Sequence, residues 1–322
     1  MTETSHPEFA GPGSVPPCLT PGIPGPVPPP ERRKAGLYAV PPAWTADVPM
    51  LHQSIASVIA NRSPLHAWHK AFAEEQDPYD EARNMGQLAH SLLLGGQGIE
   101  VIDAPDWRTN AAKEQRESAR ASGKIPVLVA KFAEAEKLAG IVRAQLEVRG
   151  IELTGQSEIT AIWRTSGRVW CQARLDHLIL PKPRHKQKAT IYDFKFTSAA
   201  ATKKACEGRF IEYGYDIQHC AYVEAIEKVF PKLQGRVKME FIFVETDLPH
   251  AIRVMPVGGS MRTSGQWRWG KAVEIWQECL EKYGTGTPWP SYSDDGALAE
   301  CPPWALNAQV AEEYKEEISE EV

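Results

Sequence analysis

The chain has 322 residues, 43% of them hydrophobic, an ordinary content for a globular protein and enough for one large core or two small ones. No run of about 18 apolar residues could span a membrane and the start lacks the basic-then-apolar layout of a secretory signal, so a membrane partner is not expected and the cytoplasm is the expected compartment. The formal charge of -5 argues against nucleic acid only at first sight, because the last twelve residues hold six glutamates and one lysine, and without them 35 acidic residues face 35 basic ones. A neutral body can still carry a local basic groove.

Residues 1–36 are rich in proline and glycine (PGIPGPVPPPERRKAG) and read as a disordered lead-in, because so few apolar side chains cannot offset the entropy of ordering. A domain is expected over 37–307, followed by an acidic tail over 308–322. The periodic stretch Leu51 to Ala60 and the Ser63-Pro64 start signal predict early helices. Another helix is predicted from Tyr79 to Leu94, ended by Gly95-Gly96. Apolar residues at helical spacing (Leu128, Phe132, Ala135, Leu138, Val142, Leu146), with Pro126 before them and Gly150 after, predict a long helix over Val127 to Val148.

Three β-like runs follow: Glu158 to Trp163, Val169 to Leu180 and Thr190 to Phe196. The turn Thr165-Ser166-Gly167 joins the first two, and the basic loop Pro181 to Lys188 joins the second to the third. A helix over Tyr215 to Val229, strands over Val237 to Glu245 and Ala251 to Pro256, and a helix over Gln266 to Tyr283 complete the pattern. This order predicts one α/β domain with a central mixed sheet flanked by helices. The six cysteines form no C-x-x-C pair, so they are expected to be reduced thiols without a zinc or iron–sulfur site.

The third of these runs carries Asp193-Phe194-Lys195, and side chains alternate along a strand, so Asp193 and Lys195 share a face. Asp176 stands near the end of the preceding strand. Two carboxylates are hard oxygen ligands suited to Mg2+ or Mn2+, and a lysine beside them can orient or deprotonate an attacking water and neutralise developing charge. Those are the needs of phosphodiester hydrolysis. Taken alone, an Asp-x-Lys on a strand is equally a solvent-facing ion pair, His90 a satisfied core histidine, and Gln218 with Tyr222 ordinary residues of one helix face.

The order G-x-x-x-H (Gly86 to His90), Asp176, D-x-K (Asp193 to Lys195) and Q-x-x-x-Y (Gln218 to Tyr222) resembles the RecB-type nucleases of the PD-(D/E)XK superfamily. The resemblance implies a restriction-endonuclease-like core. It makes His90, Asp176, Asp193 and the Phe194 carbonyl ligands of Mg2+ or Mn2+, gives Lys195 to the attacking water, and puts Gln218 and Tyr222 in the site beside DNA. The segments GLYAVPPAW and SVIANRSPLHAW, with Trp289-Pro290-Ser291-Tyr292 and Pro302-Pro303-Trp304, are similar most of all to the phage-type exonuclease domain of RecE, formerly exodeoxyribonuclease VIII. That likeness implies a homo-oligomeric exonuclease degrading linear double-stranded DNA from its ends, 5′ to 3′, for a recombinase or single-strand annealing partner. Thr45 to Val48 departs from that group's opening. Glu158, Arg174 and Arg62 are further candidates for reaching the site or a terminal phosphate. An endonuclease or nickase on the same core and an idle DNA-binding protein are the competing readings.

Overall fold

The computed structural model describes residues 33–73, 85–95, 98–165, 169–182, 187–293, 300–301 and 306–307. Most of the lead-in, the acidic tail, Tyr79 to Arg83, Ser166-Gly167 and Pro302 to Trp304 lie outside them. Residues from Lys34 onward form one unit.

Six strands make the central sheet: β1 (Gly36–Tyr38), β4 (Gln156–Arg164), β5 (Trp170–Ile179), β6 (Ala189–Thr197), β7 (Val237–Glu245) and β8 (Ile252–Pro256), in the spatial order β1-β4-β5-β6-β7-β8. All neighbours are antiparallel except β6 and β7, which run parallel. A parallel pair needs a crossover. It is supplied by α6 (Lys203–Glu212) and α7 (Tyr215–Val229). The sheet is therefore mixed, as the strand pattern requires.

Helices cover both faces. One face packs α1 (Gln53–Asn61), α2 (Pro64–Trp68), α7 and α8 (Gly259–Tyr283) against Trp163, Leu175, Ile191, Phe241 and Phe243. The other packs α3 (Met85–Leu94) and α5 (Val129–Val148) against Phe194, Ile242 and Val244. Parity along each strand decides the face. In β6, Ile191 belongs to the first cluster and Phe194 to the second, so Asp193 and Lys195 look toward α7 while Tyr192, Phe194 and Phe196 look toward α3. Burying each large side chain contributes about 1.5–3 kcal/mol, which fixes that register firmly.

Several features were not expected from the sequence. A second, two-stranded parallel sheet pairs β2 (Ile99–Ile102) with β3 (Ile125–Leu128) across α4 (Asn110–Ala121), so the long helix α5 begins at Val129, not Val127. The short strand β1 and the helix α6 were also not foreseen, and α8 begins at Gly259, seven residues ahead of Gln266. No helix among the described residues is long and apolar enough to cross a membrane. The five described cysteines form no disulfide.

Candidate functional site

The β5–β6 ladder pairs Ile179 with Thr190, Leu178 with Ile191 and His177 with Tyr192, and then stops. The next position would set Asp176 against Asp193. There the strands part, and the Asp176 carboxylate takes over one lost backbone bond, its Oδ2 accepting from Phe194 N–H at 2.7 Å. The gap brings together groups rooted on opposite faces of the sheet.

On the α3 side, His90 Nε2 lies 3.0 Å from Asp176 Oδ2 and His90 Nδ1 lies 3.6 Å from Glu158 Oε1. The His90 ring stands edge-on against Phe194 and Phe196, which holds the imidazole against the sheet. One ligand atom from each of His90, Glu158 and Asp176 lies within 4.8 Å of the others. On the α7 side, Lys195 Nζ sits 2.6 Å from Asp193 Oδ1, and Gln218 Nε2 donates to Asp193 Oδ2. Burial raises the Tyr222 pKa well above its ordinary value, and the Gln218 amide offsets part of that rise. Lys195 Nζ also lies over the Tyr215 ring, 4.6 Å from its centre, and over Phe241 at 5.7 Å, so two aromatic faces favour the cation from beneath.

Burial opposes every charge here, and the charges resist it to different degrees. Burial lowers the His90 pKa, but the Asp176 hydrogen bond and the negative charges of Asp176, Glu158 and Asp193 outweigh it, and the net shift is upward. Burial raises Asp176, yet its bond and attraction to His90, with Lys195 and the Phe194 amide, leave it below its ordinary value. Asp193 is the strained acid: burial pushes it up to about 6 against the pull of Lys195. For Lys195, burial is outweighed by Asp193, Tyr215 and Asp176, so its pKa is raised and it stays a cation. Opposed shifts on neighbouring acids mark a site built for chemistry more often than for stability.

The structure thus brings His90, Asp176, Asp193, Lys195, Gln218 and Tyr222 into one constellation, with Phe194 contributing its amide to Asp176. Gln218 and Tyr222 are both buried and reach the constellation from beneath, through Asp193. Arg62 is exposed at the end of α1 and lines a separate cavity with His66, His69 and Lys70. Arg174 reaches the site only through Glu158, to which its Nε donates. Two participants were underrated in the sequence. Glu158 joins His90 and Asp176 because it faces Asp176 across β4 and β5, and Tyr215 lies under Lys195. The register of three β-like runs could have shown the first, but no local pattern marks the second.

The donor set fits a divalent metal. Two carboxylates and an imidazole converge, and on the α7 side Gln218 Oε1 is buried without a hydrogen-bond partner among the described residues. Hard oxygens with one nitrogen suit Mg2+ or Mn2+.

The sequence over residues 58–298 matches the family described as "PDDEXK-like domain of unknown function (DUF3799)". The chain belongs to this family. A PDDEXK-like domain is consistent with the PD-(D/E)XK nuclease superfamily, whose nucleases use divalent metals. Among solved structures, a protein from Eubacterium rectale named "putative exonuclease" superposes with a TM-score of 0.52 at 13% identity, covering 81% of this chain and 92% of that one. At that identity the likeness establishes the shared fold. The crystal structure of SSO0001 (14% identity, 62% and 91% coverage) has a TM-score of only 0.25 and carries no argument. Comparison with curated protein sequences gives no match.

Proposed function

We propose that the chain is a divalent-metal-dependent exodeoxyribonuclease that hydrolyses phosphodiester bonds of linear double-stranded DNA from its ends. The observation that carries the reading is the parting of β5 and β6 at Asp176 and Asp193, which sets a convergent His90–Glu158–Asp176 donor set beside a carboxylate-held lysine. A DNA-binding protein without chemistry has no physical reason to bury two acids and a lysine in an incompletely satisfied cluster, because such burial costs stability.

His90, Glu158 and Asp176 would hold a Mg2+ or Mn2+ ion, with Asp193 and the Phe194 carbonyl as further ligands. When bound, the ion would supply Lewis acidity to the phosphate and lower the pKa of an attacking water. Lys195, as an ammonium, donates to that water and to the charge developing on the phosphate, an interaction strongest in the transition state. Asp193 and the Tyr215 face hold Lys195, and Gln218 holds Asp193. Preorganised donors of this kind need no rearrangement when charge appears.

Action from an end, 5′ to 3′ polarity, a ring-like homo-oligomer and a single-strand annealing partner extend the reading along the RecE likeness. The test is one gel: linear and covalently closed circular duplex with Mg2+. Loss of the linear form alone is expected. Loss of both forms indicates an endonuclease, and survival of both indicates an idle DNA-binding protein.

A further inference from the structure

His177 follows Asp176 on β5 and stands opposite Tyr192 of β6, so its side chain lies on the α3 face of the sheet, beside the donor set but not one of its three ligands. It is 1% exposed. A buried imidazole must have both nitrogens accounted for, and here each is bound to the start of β4. Gly155 N–H donates to Nε2 at 3.1 Å, which makes Nε2 the acceptor and leaves the proton of a neutral ring on Nδ1. Nδ1 lies 2.9 Å from Ser157 Oγ, to which it therefore donates. One side chain of β5 thus grips residues 155 and 157 of the neighbouring strand.

The segment so gripped is under constraint. A Cβ at Gly155 would stand 2.0 Å from the Leu178 carbonyl oxygen, so the chain enters β4 pressed against β5 in a way that only glycine permits. One residue beyond Ser157, Glu158 takes φ 54°, the left-handed region that costs a non-glycine residue on the order of 1 kcal/mol and persists only where surroundings enforce it. The β4–β5 ladder pairs Ser157 with His177 and Ile159 with Leu175, leaving Glu158 and Asp176 unpaired between them. In that conformation the Glu158 carboxylate reaches His90 and, through Oε2, Arg174.

The geometry points to His177 as a positioning residue: by holding Gly155 N–H and Ser157 Oγ it fixes Glu158 in its left-handed conformation and so sets the affinity of the His90–Glu158–Asp176 trio for a divalent cation. Partners that orient a ligand without touching the metal typically change affinity about 10–100-fold when removed. His177 touches no reacting group. Its effect runs entirely through Glu158, and the inference rests on the reading of the trio as a metal site.

The test is Mn2+ binding to the full chain by calorimetry, which needs no turnover. His177→Leu should weaken binding about tenfold or more, and Ser157→Ala should weaken it less. His177→Gln, which retains an acceptor for Gly155 N–H, should recover part of the loss. In a Glu158→Gln background the His177 substitution should cost nothing further, a non-additivity that a merely structural histidine would not produce. Unchanged affinity in His177→Leu, or the same fold-loss with and without the Glu158 carboxylate, overturns the inference while leaving the metal site standing. Should His177→Leu fail to fold, wild-type affinity in both Ser157→Ala and His177→Gln overturns it equally. Absence of Mn2+ binding in the wild type removes the metal-site reading itself, and this inference with it.

Discussion

Two buried charged clusters lie two residues apart on α7, and they are built on opposite rules. At the α7–α8 contact, Asp216 is fully buried and accepts from Arg268 Nη1 through both oxygens at 2.8 Å. Ser264 Oγ adds a donor at 3.3 Å, and Arg268 reaches on to Asn61 and the Ile211 carbonyl. Gly265 lets the helices close, since a Cβ there would lie 2.2 Å from the Asp216 carbonyl oxygen. Every charge has a fixed partner. In the β5–β6 gap, by contrast, Asp193 is pushed up by burial despite Lys195 at 2.6 Å, Gln218 Oε1 has no partner among the described residues, and Glu158 is strained. Saturation marks a cluster that holds the fold. Incomplete saturation around converging carboxylates marks one available to a metal and a substrate.

If that contrast is real, substitutions in the two clusters must fail differently. Asp193→Asn should lower Mg2+-dependent turnover by several orders of magnitude, about 4 kcal/mol or more of barrier. Its thermal midpoint in EDTA at neutral pH should hold or rise, because burial already disfavours the ionised acid. Retention of more than about a tenth of wild-type activity would remove Asp193 from the site. Arg268→Ala should do the reverse. Leaving Asp216 buried without its cation should cost about 3–5 kcal/mol of stability, read as a fall in the urea midpoint, with turnover per folded molecule near wild type. A large loss of turnover in the fully folded fraction would erase the distinction.

Lys195→Ala sharpens the account within the open cluster, with a fall in kcat of about 100-fold or more and a much smaller change in KM, since the lost interaction belongs to the transition state. A raised KM alone would recast the lysine as a phosphate clamp. A further effect concerns pH and lies on α7 beside Gln218. Burial, with Arg262 nearby, lowers His219 from an ordinary 6.5 to about 4. Below pH 6.5 the unfolded chain takes up a proton that the folded chain refuses, so stability is full above that pH and is lost as pH falls toward 4, by up to about 3 kcal/mol. His219→Gln should flatten the fall in thermal midpoint across that window, and an unaltered slope would show that other groups govern it.

Much of this was legible in the sequence, for physical reasons that individual elements make plain. Strands β4 to β7 alternate or run apolar over nine or ten residues, and the helix expected over about Tyr215 to Val229 is found there as α7. Helix α4 escaped notice because NAAKEQRESARA buries only Ala112 and Ala119, leaving no apolar stripe to read. Strands β2 and β3 are four residues long and paired only with each other. Within the site, His90, Asp176, Asp193 and Lys195 could be named from spacing and resemblance. Glu158 was a candidate from its place on a flanking strand, though its reach depends on a left-handed backbone conformation, whereas the contribution of Tyr215 depends on a contact between separate elements and leaves no mark in local sequence.

Digestion of end-labelled linear duplex in Mg2+, Mn2+, Ca2+ or EDTA, with DNA binding in Ca2+ measured at the same salt, tests the central claim most directly. Cleavage should proceed in Mg2+ and Mn2+ and stop in EDTA. Ca2+, with longer bonds and looser coordination, should support binding without cutting. Undiminished cleavage in EDTA would contradict a metal-dependent mechanism outright, and equal rates in Ca2+ and Mg2+ would contradict the strict geometry assigned to His90, Glu158, Asp176 and Asp193.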